Sequence, residues 1–151
     1  MKSDFHDAHL RHFSDANYLY AAQRWANADH LYGVAAECGL KCLMQVFGMK
    51  VDPNTGSPVE SDDRVHVTER RKKDVWMRYV DEYWERYDTY RSGRDHAADY
   101  GLPTVNPFLD WDVGQRYAHQ SRFDPSWVDP HQAATCNVHR LVIKAQLEGL
   151  L

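Results

Sequence analysis

The chain has 151 residues, 43% of them hydrophobic, with a formal net charge of −4. That length suits one domain, residues 1–151, with a core large enough to stand without disulfide or metal staples. No apolar run approaches the roughly 20 residues that a membrane span needs. The polar, acidic opening Met1-Lys2-Ser3-Asp4-Phe5-His6-Asp7 is unlike a secretory leader, and a net negative charge disfavours indiscriminate coating of nucleic acid while allowing a local basic groove.

In chain order, Ser14 is placed to cap a first helix over roughly 15–25. Asn27 is placed to cap a second, running to about Phe47, with Gly48 ending it. Within the second, Leu31, Ala35, Cys38, Cys42 and Val46 form one stripe, widened by Leu40, Leu43 and Phe47. Cys38, Cys42 and Cys136 cannot complete a disulfide framework, and the first two read as small buried hydrophobes of a reducing compartment, so a cytoplasmic location is expected. Residues 51–63 hold two prolines and Asn54-Thr55-Gly56, a loop. Thr68 starts a third helix. In it Val75, Trp76, Tyr79, Val80, Tyr83, Trp84 and Tyr87 repeat at three-four spacing, until Ser92-Gly93 weakens the helix. Residues 99–128 are irregular, with a short turn expected around Trp111 to Tyr117. Asp129-Pro130 then predicts a cap and first-turn proline for a last helix that buries Ala134, Val138, Leu141, Val142 and Ala145. Strand signals are nearly absent. The predicted fold is all-α, a four- to five-helix up-and-down bundle with a long irregular segment before the last helix.

The richest stretch is Leu31-Tyr32-Gly33-Val34-Ala35-Ala36-Glu37-Cys38-Gly39-Leu40-Lys41-Cys42-Leu43. Its small residues let a neighbouring helix approach closely, and Glu37 and Lys41 face each other in the favourable order, a pair worth only about 0.2–0.5 kcal/mol to a helix. Taken with Asp15-Ala16-Asn17-Tyr18-Leu19-Tyr20 and Arg24-Trp25-Ala26-Asn27-Ala28-Asp29-His30, it resembles the opening helices of HEPN domains, small helical domains associated with nucleotides and RNA. The resemblance is clearest over residues 14–47. It implies a HEPN-like bundle that acts on or binds RNA, including a metal-independent ribonuclease of a toxin–antitoxin or phage-defence system. It equally implies a non-catalytic module that binds a nucleotide or pairs with a nucleotidyltransferase-type partner, an antitoxin or another defence-system protein.

HEPN ribonucleases carry an arginine, usually followed by a polar residue, and a histidine four to six residues on. Arg91-Ser92-Gly93-Arg94-Asp95-His96 is similar to that pattern, with four residues between Arg91 and His96. Cleaving RNA without metal means moving the 2′-hydroxyl proton, which an imidazole does near neutrality. It also means steadying phosphate charge, which a guanidinium does in bidentate fashion. The resemblance therefore gives His96 the proton and Arg91 the phosphate, although the pattern more often opens the final helix. Arg24 and His30 also fit the spacing, with Trp25 in place of the polar neighbour.

Other basic groups invite phosphate. Arg70-Arg71-Lys72-Lys73 would sit in the first turns of the third helix, where cations oppose the dipole by about 0.3–1 kcal/mol; phosphate contact and a solvated helix end both explain the run, which Arg64 and His66 extend. Arg94 belongs to the same class of expected RNA contacts. The tract Trp111-Asp112-Val113-Gly114-Gln115-Arg116-Tyr117 is similar to the tail of HEPN proteins that lack the nuclease motif. There Arg116 and Tyr117, with His119 and Arg122 nearby, either bind a phosphate or base, or clasp a long loop to the bundle. His6, His9 and His12 lack the ligand set of a zinc site, so no metal and no cofactor are expected. The aromatic stripe of the third helix exceeds what one four-helix core needs, which predicts a homodimer.

Overall fold

The computed structural model describes residues 1–60 and 79–151, and among these residues there are four α-helices. They are α1, Phe5–Ala21; α2, Trp25–Val46; α3, Tyr79–Arg91; and α4, Pro125–Leu147. Among the described residues there is no strand, only an isolated bridge between Val51 and Pro58, and the fold is all-α. The expected helix through residues 28–47 is in place.

α2 is the axis, packed against α1, α3 and α4. A helix with neighbours on several sides must be slim where they approach. A methyl group on Gly33 would lie 2.0 Å from Cε2 of Trp111, and one on Gly39 would lie 2.5 Å from Cγ1 of Val138 and 2.7 Å from Nδ1 of His9. Glu37 and Lys41 bond at 2.7 Å. Far from being a surface pair, they bury the lysine: its side chain is 3% exposed, with the ammonium 4.4 Å from the Tyr83 ring centre and 5.3 Å from that of Phe5. One charged group thus ties α2 to α1 and α3, and Glu37 keeps the lysine protonated against the cost of its burial.

The helix ends differ from expectation in instructive ways. α1 begins ahead of Ser14, because Asp4 accepts the N–H of Asp7 at 3.0 Å and caps it. His9 and Ala16 face the interior. α1 stops at Ala21, and the N–H groups of Ala22, Gln23 and Arg24 return to the carbonyls of Tyr18, Tyr20 and Leu19. This tight link folds α1 and α2 into a hairpin, at the expense of a left-handed Gln23, φ 57°. Asn27 lies inside α2, whose N-terminal end has no side-chain cap. α4 starts at Pro125, not Pro130: Asp124 accepts the N–H of Trp127 at 3.0 Å, and the earlier start brings Val128 and His131 into the core. Asp129 instead accepts the Tyr20 hydroxyl at 2.5 Å.

Tyr83, Trp84 and Tyr87 of α3 are buried in the chain's own core against Phe47, Tyr100 and Phe108. These three rings are therefore spent within one copy; Val75 and Trp76, and the basic run Arg70–Lys73, lie outside the described residues. Three 3₁₀ turns, Ala97–Tyr100, Val113–Tyr117 and Gln120–Arg122, punctuate the expected irregular segment. Tyr100, Phe108 and Trp111 pin it to the bundle.

Candidate anion site

Asp29 sits one turn inside α2 and is completely buried. A carboxylate there must be fully bonded. Its Oδ1 meets Nδ1 of His131 at 2.7 Å, and its Oδ2 accepts from Nε2 of Gln115 at 2.5 Å. Its backbone carbonyl accepts the Trp111 indole N–H at 3.0 Å. His131, also buried, offers Nε2 to Oδ1 of Asp110 at 3.0 Å and stacks on Phe108 with ring centres 5.1 Å apart. With a carboxylate oxygen at each nitrogen, both must carry hydrogen, which is the imidazolium form. Burial lowers the pKa of His131, but bonding and attraction to Asp29 and Asp110 outweigh it and the net shift is upward.

Gln115 delivers its neighbour Arg116 to the N-terminal end of α2. There a cleft of about 360 Å³ opens between the α1–α2 link, including Arg24 and Trp25, and the turn carrying Gln115, Arg116 and Ala118, with Gln120 beyond. Three properties make it receptive to an anion. Arg24 and Arg116 both line it; the first residues of a 22-residue helix line it too; and that helix end has no side-chain cap. Asp112, the cap of the turn, spends its carboxylate on the N–H of Gly114 at 2.6 Å. Tyr117 is exposed, its ring 4.8 Å from the Arg116 guanidinium. His30 stacks beside Trp111, with ring centres 6.0 Å apart. Burial, then the charge of Arg116, lowers its pKa, and its Nδ1 is buried without a hydrogen-bond partner.

The expected site residues therefore separate into two groups. Arg24, Arg116 and Tyr117 gather at the N-terminal end of α2. Arg91, Arg94 and His96 lie at its other end, where the Arg94 guanidinium comes up against Gly48; 22 residues of helix put about 30 Å between the two. Arg91 donates from Nη1 to the carbonyl of Ala97 at 2.7 Å and from Nη2 to Asp88, and it borders a cavity that also holds Glu85 and Asp88. His96 is exposed and left-handed, φ 62°, where the chain leaves α3. Its carbonyl accepts the N–H of Asp99 at 3.0 Å. His119 bonds Ser121 at 2.8 Å, and Arg122 is exposed.

The N-terminal histidines have local uses. Nδ1 of His9 donates to the Ala35 carbonyl at 2.8 Å, which leaves Nε2 as the acceptor for His139 Nδ1–H at 3.0 Å. Burial holds His9 at about 4, so it is neutral at pH 7. Among the described residues no group of three or more His, Cys, Asp or Glu side chains is placed to hold a metal ion, and no helix is long and apolar enough to cross a membrane.

Asp29, Gln115 and His131 were not singled out from sequence, yet a signal existed. His131 shares a face with Ala134, Val138, Leu141 and Ala145, and Asp29 shares one with Tyr32, Ala36 and Leu40. Lone polar residues on buried faces are partners in search of each other. Comparison with models of protein families, with curated proteins and with solved structures gives no match.

Proposed function

We propose that the chain is a HEPN-like, RNA-acting protein whose phosphate contacts are made in the cleft at the N-terminal end of α2. The observation that carries this is that Arg24 and Arg116 line one cleft at a helix end without a side-chain cap. Two cations beside a helix N-terminus suit a phosphodiester or nucleotide phosphate, and Tyr117, next to Arg116, offers an aromatic face for a base. Binding rather than chemistry is the primary role. Arg91, already committed to Asp88 and Ala97 and bordered by carboxylates, is a poor phosphate grip.

A second reading, metal-independent cleavage, draws on His30. It is neutral at pH 7, follows Arg24 at the family's spacing and lies within electrostatic reach of Arg116. A neutral imidazole near a guanidinium is what abstraction of a 2′-hydroxyl proton requires. The working location is the cytoplasm, and the expected associates are a second copy or an antitoxin-like partner.

The test is to titrate fluorescent single-stranded RNA into the wild-type protein and Arg116→Ala, with chelator present, and to run the product on a gel. The expected result is saturable binding weakened about tenfold in the variant, a loss of about 1.4 kcal/mol. No binding by the wild type overturns the proposal. Cleavage lost in His30→Ala but kept in His96→Ala would promote the second reading; the reverse would return the chemistry to the Arg91–His96 end.

A further inference from the structure

We propose that Asp29 and His131 are positioning residues: together they form a protonation-dependent clamp that holds the turn Val113–Tyr117, and hence Arg116, against the N-terminal end of α2. The inference rests on the cleft described above but concerns how that cleft is kept in shape. Asp29 bonds α4, the turn and Trp111 at once, through His131 at 2.7 Å, Gln115 at 2.5 Å and the indole N–H at 3.0 Å. None of these contacts is shared with solvent at Asp29 itself, which is completely buried. The turn has no buried residue of its own. Arg116 projects from it next to Gln115, so the amide of Gln115 is the tether closest to the cation.

The clamp depends on charge. Facing the His131 ring are Asp29 from α2 and, from the irregular segment, Asp110 and the apolar face of Phe108; Asp29 and Arg116 also act on the charge of His30. The imidazolium donates to both carboxylates. The neutral ring has one N–H, so on deprotonation one carboxylate faces a lone pair and that contact turns repulsive. Asp110, whose side chain is 53% exposed, escapes to water more readily than buried Asp29. Loss of the proton therefore cuts the tie at Asp110 and loosens the chain that follows it, leaving the Trp111 and Gln115 bonds to Asp29 to hold the turn alone. The shift of His131 above its ordinary value puts this release on the alkaline side of 6.5, whereas burial and the charge of Arg116 shift His30 the opposite way.

Amide hydrogen exchange tests the clamp without requiring any ligand. Protection factors for residues 113–117, corrected for the base catalysis of exchange itself, are measured from pH 6 to 8.5 in the wild type, Gln115→Ala and His131→Gln. The expected result is a fall of about tenfold across the titration of His131 in the wild type. Low protection at all pH values is expected in Gln115→Ala, and a pH-independent profile in His131→Gln. Protection that is unchanged in both folded variants, or flat with pH in the wild type, overturns the clamp. If His131→Gln fails to fold, Gln115→Ala and the wild-type profile decide. RNA binding measured on the same samples separates the two proposals: an intact clamp in a wild type that binds no RNA condemns the ligand and not the clamp.

Discussion

Gly33 illustrates how little latitude single residues have along α2. Alanine there gains about 1 kcal/mol of helix propensity, but its methyl would sit 2.0 Å from the Trp111 ring. Trp111 is itself held by Asp29 and Phe108. Gly33→Ala is expected to lose about 1–3 kcal/mol, read as a lower urea midpoint and altered tryptophan emission; an unchanged midpoint would mean the ring moves freely. Lys41 gives a second case. Glu37→Ala removes the carboxylate from an ammonium that is 3% exposed and leaves it the Tyr83 side chain, for an expected loss of about 3 kcal/mol. Glu37→Leu with Lys41→Met removes both charges and is expected to recover most of it in the same denaturation series. Sequence showed the small residues and the ion pair but not the burial, because Phe5 and Tyr83 come from other helices.

Elements were legible in type more than in extent. Asp124-Pro125 and Asp129-Pro130 offer the same cap-then-proline signal five residues apart. The earlier one wins because it buries Val128 and lets His131 reach Asp29. Asp124→Ala is expected to lose about 1 kcal/mol through the cap, and Asp129→Ala less, because Asp129 bonds only Tyr20 among the described partners. Equal losses in thermal unfolding would contradict that assignment. The early part of α1 was hidden by its histidines: a polar ring at position 9 breaks an apolar stripe on paper, whereas the folded chain satisfies both its nitrogens. The tract Trp111–Tyr117 was legible as a clasp or a phosphate contact. Its position over α2 was not, because that is set by bonds to Asp29, more than eighty residues earlier in the chain.

For the whole molecule, buried histidines set the response to pH. His9 titrates near 6.5 when unfolded and at about 4 when folded. Above pH 6.5 both states leave it neutral. As pH falls the unfolded chain takes a proton that the folded chain refuses, so stability declines from about pH 6.5 down to about 4, by roughly 3 kcal/mol from this group. His12, His30 and His139 are lowered and act in the same direction. His131 is raised and acts oppositely: its contribution is full below 6.5 and is lost as pH rises through its folded value. A melting temperature that drops from pH 7 to 4, with a shallower drop in His9→Gln, is expected; a flat profile would mean His9 is hydrated. The all-α class and the irregular segment before the last helix were readable from periodicity and from glycine and proline punctuation. Which basic residues share an end of the bundle was not, because it follows from how α2 is threaded between its neighbours.

The most direct measurement is the salt dependence of single-stranded RNA affinity in the wild type, in Arg24→Ala/Arg116→Ala and in Arg91→Ala/Arg94→Ala. Each phosphate contact adds about 0.7 to the slope of log affinity against log salt. The slope should fall by about 1.4 in the first double variant and stay at the wild-type value in the second. A slope that falls only when Arg91 and Arg94 are removed would place the phosphates at the opposite end of α2.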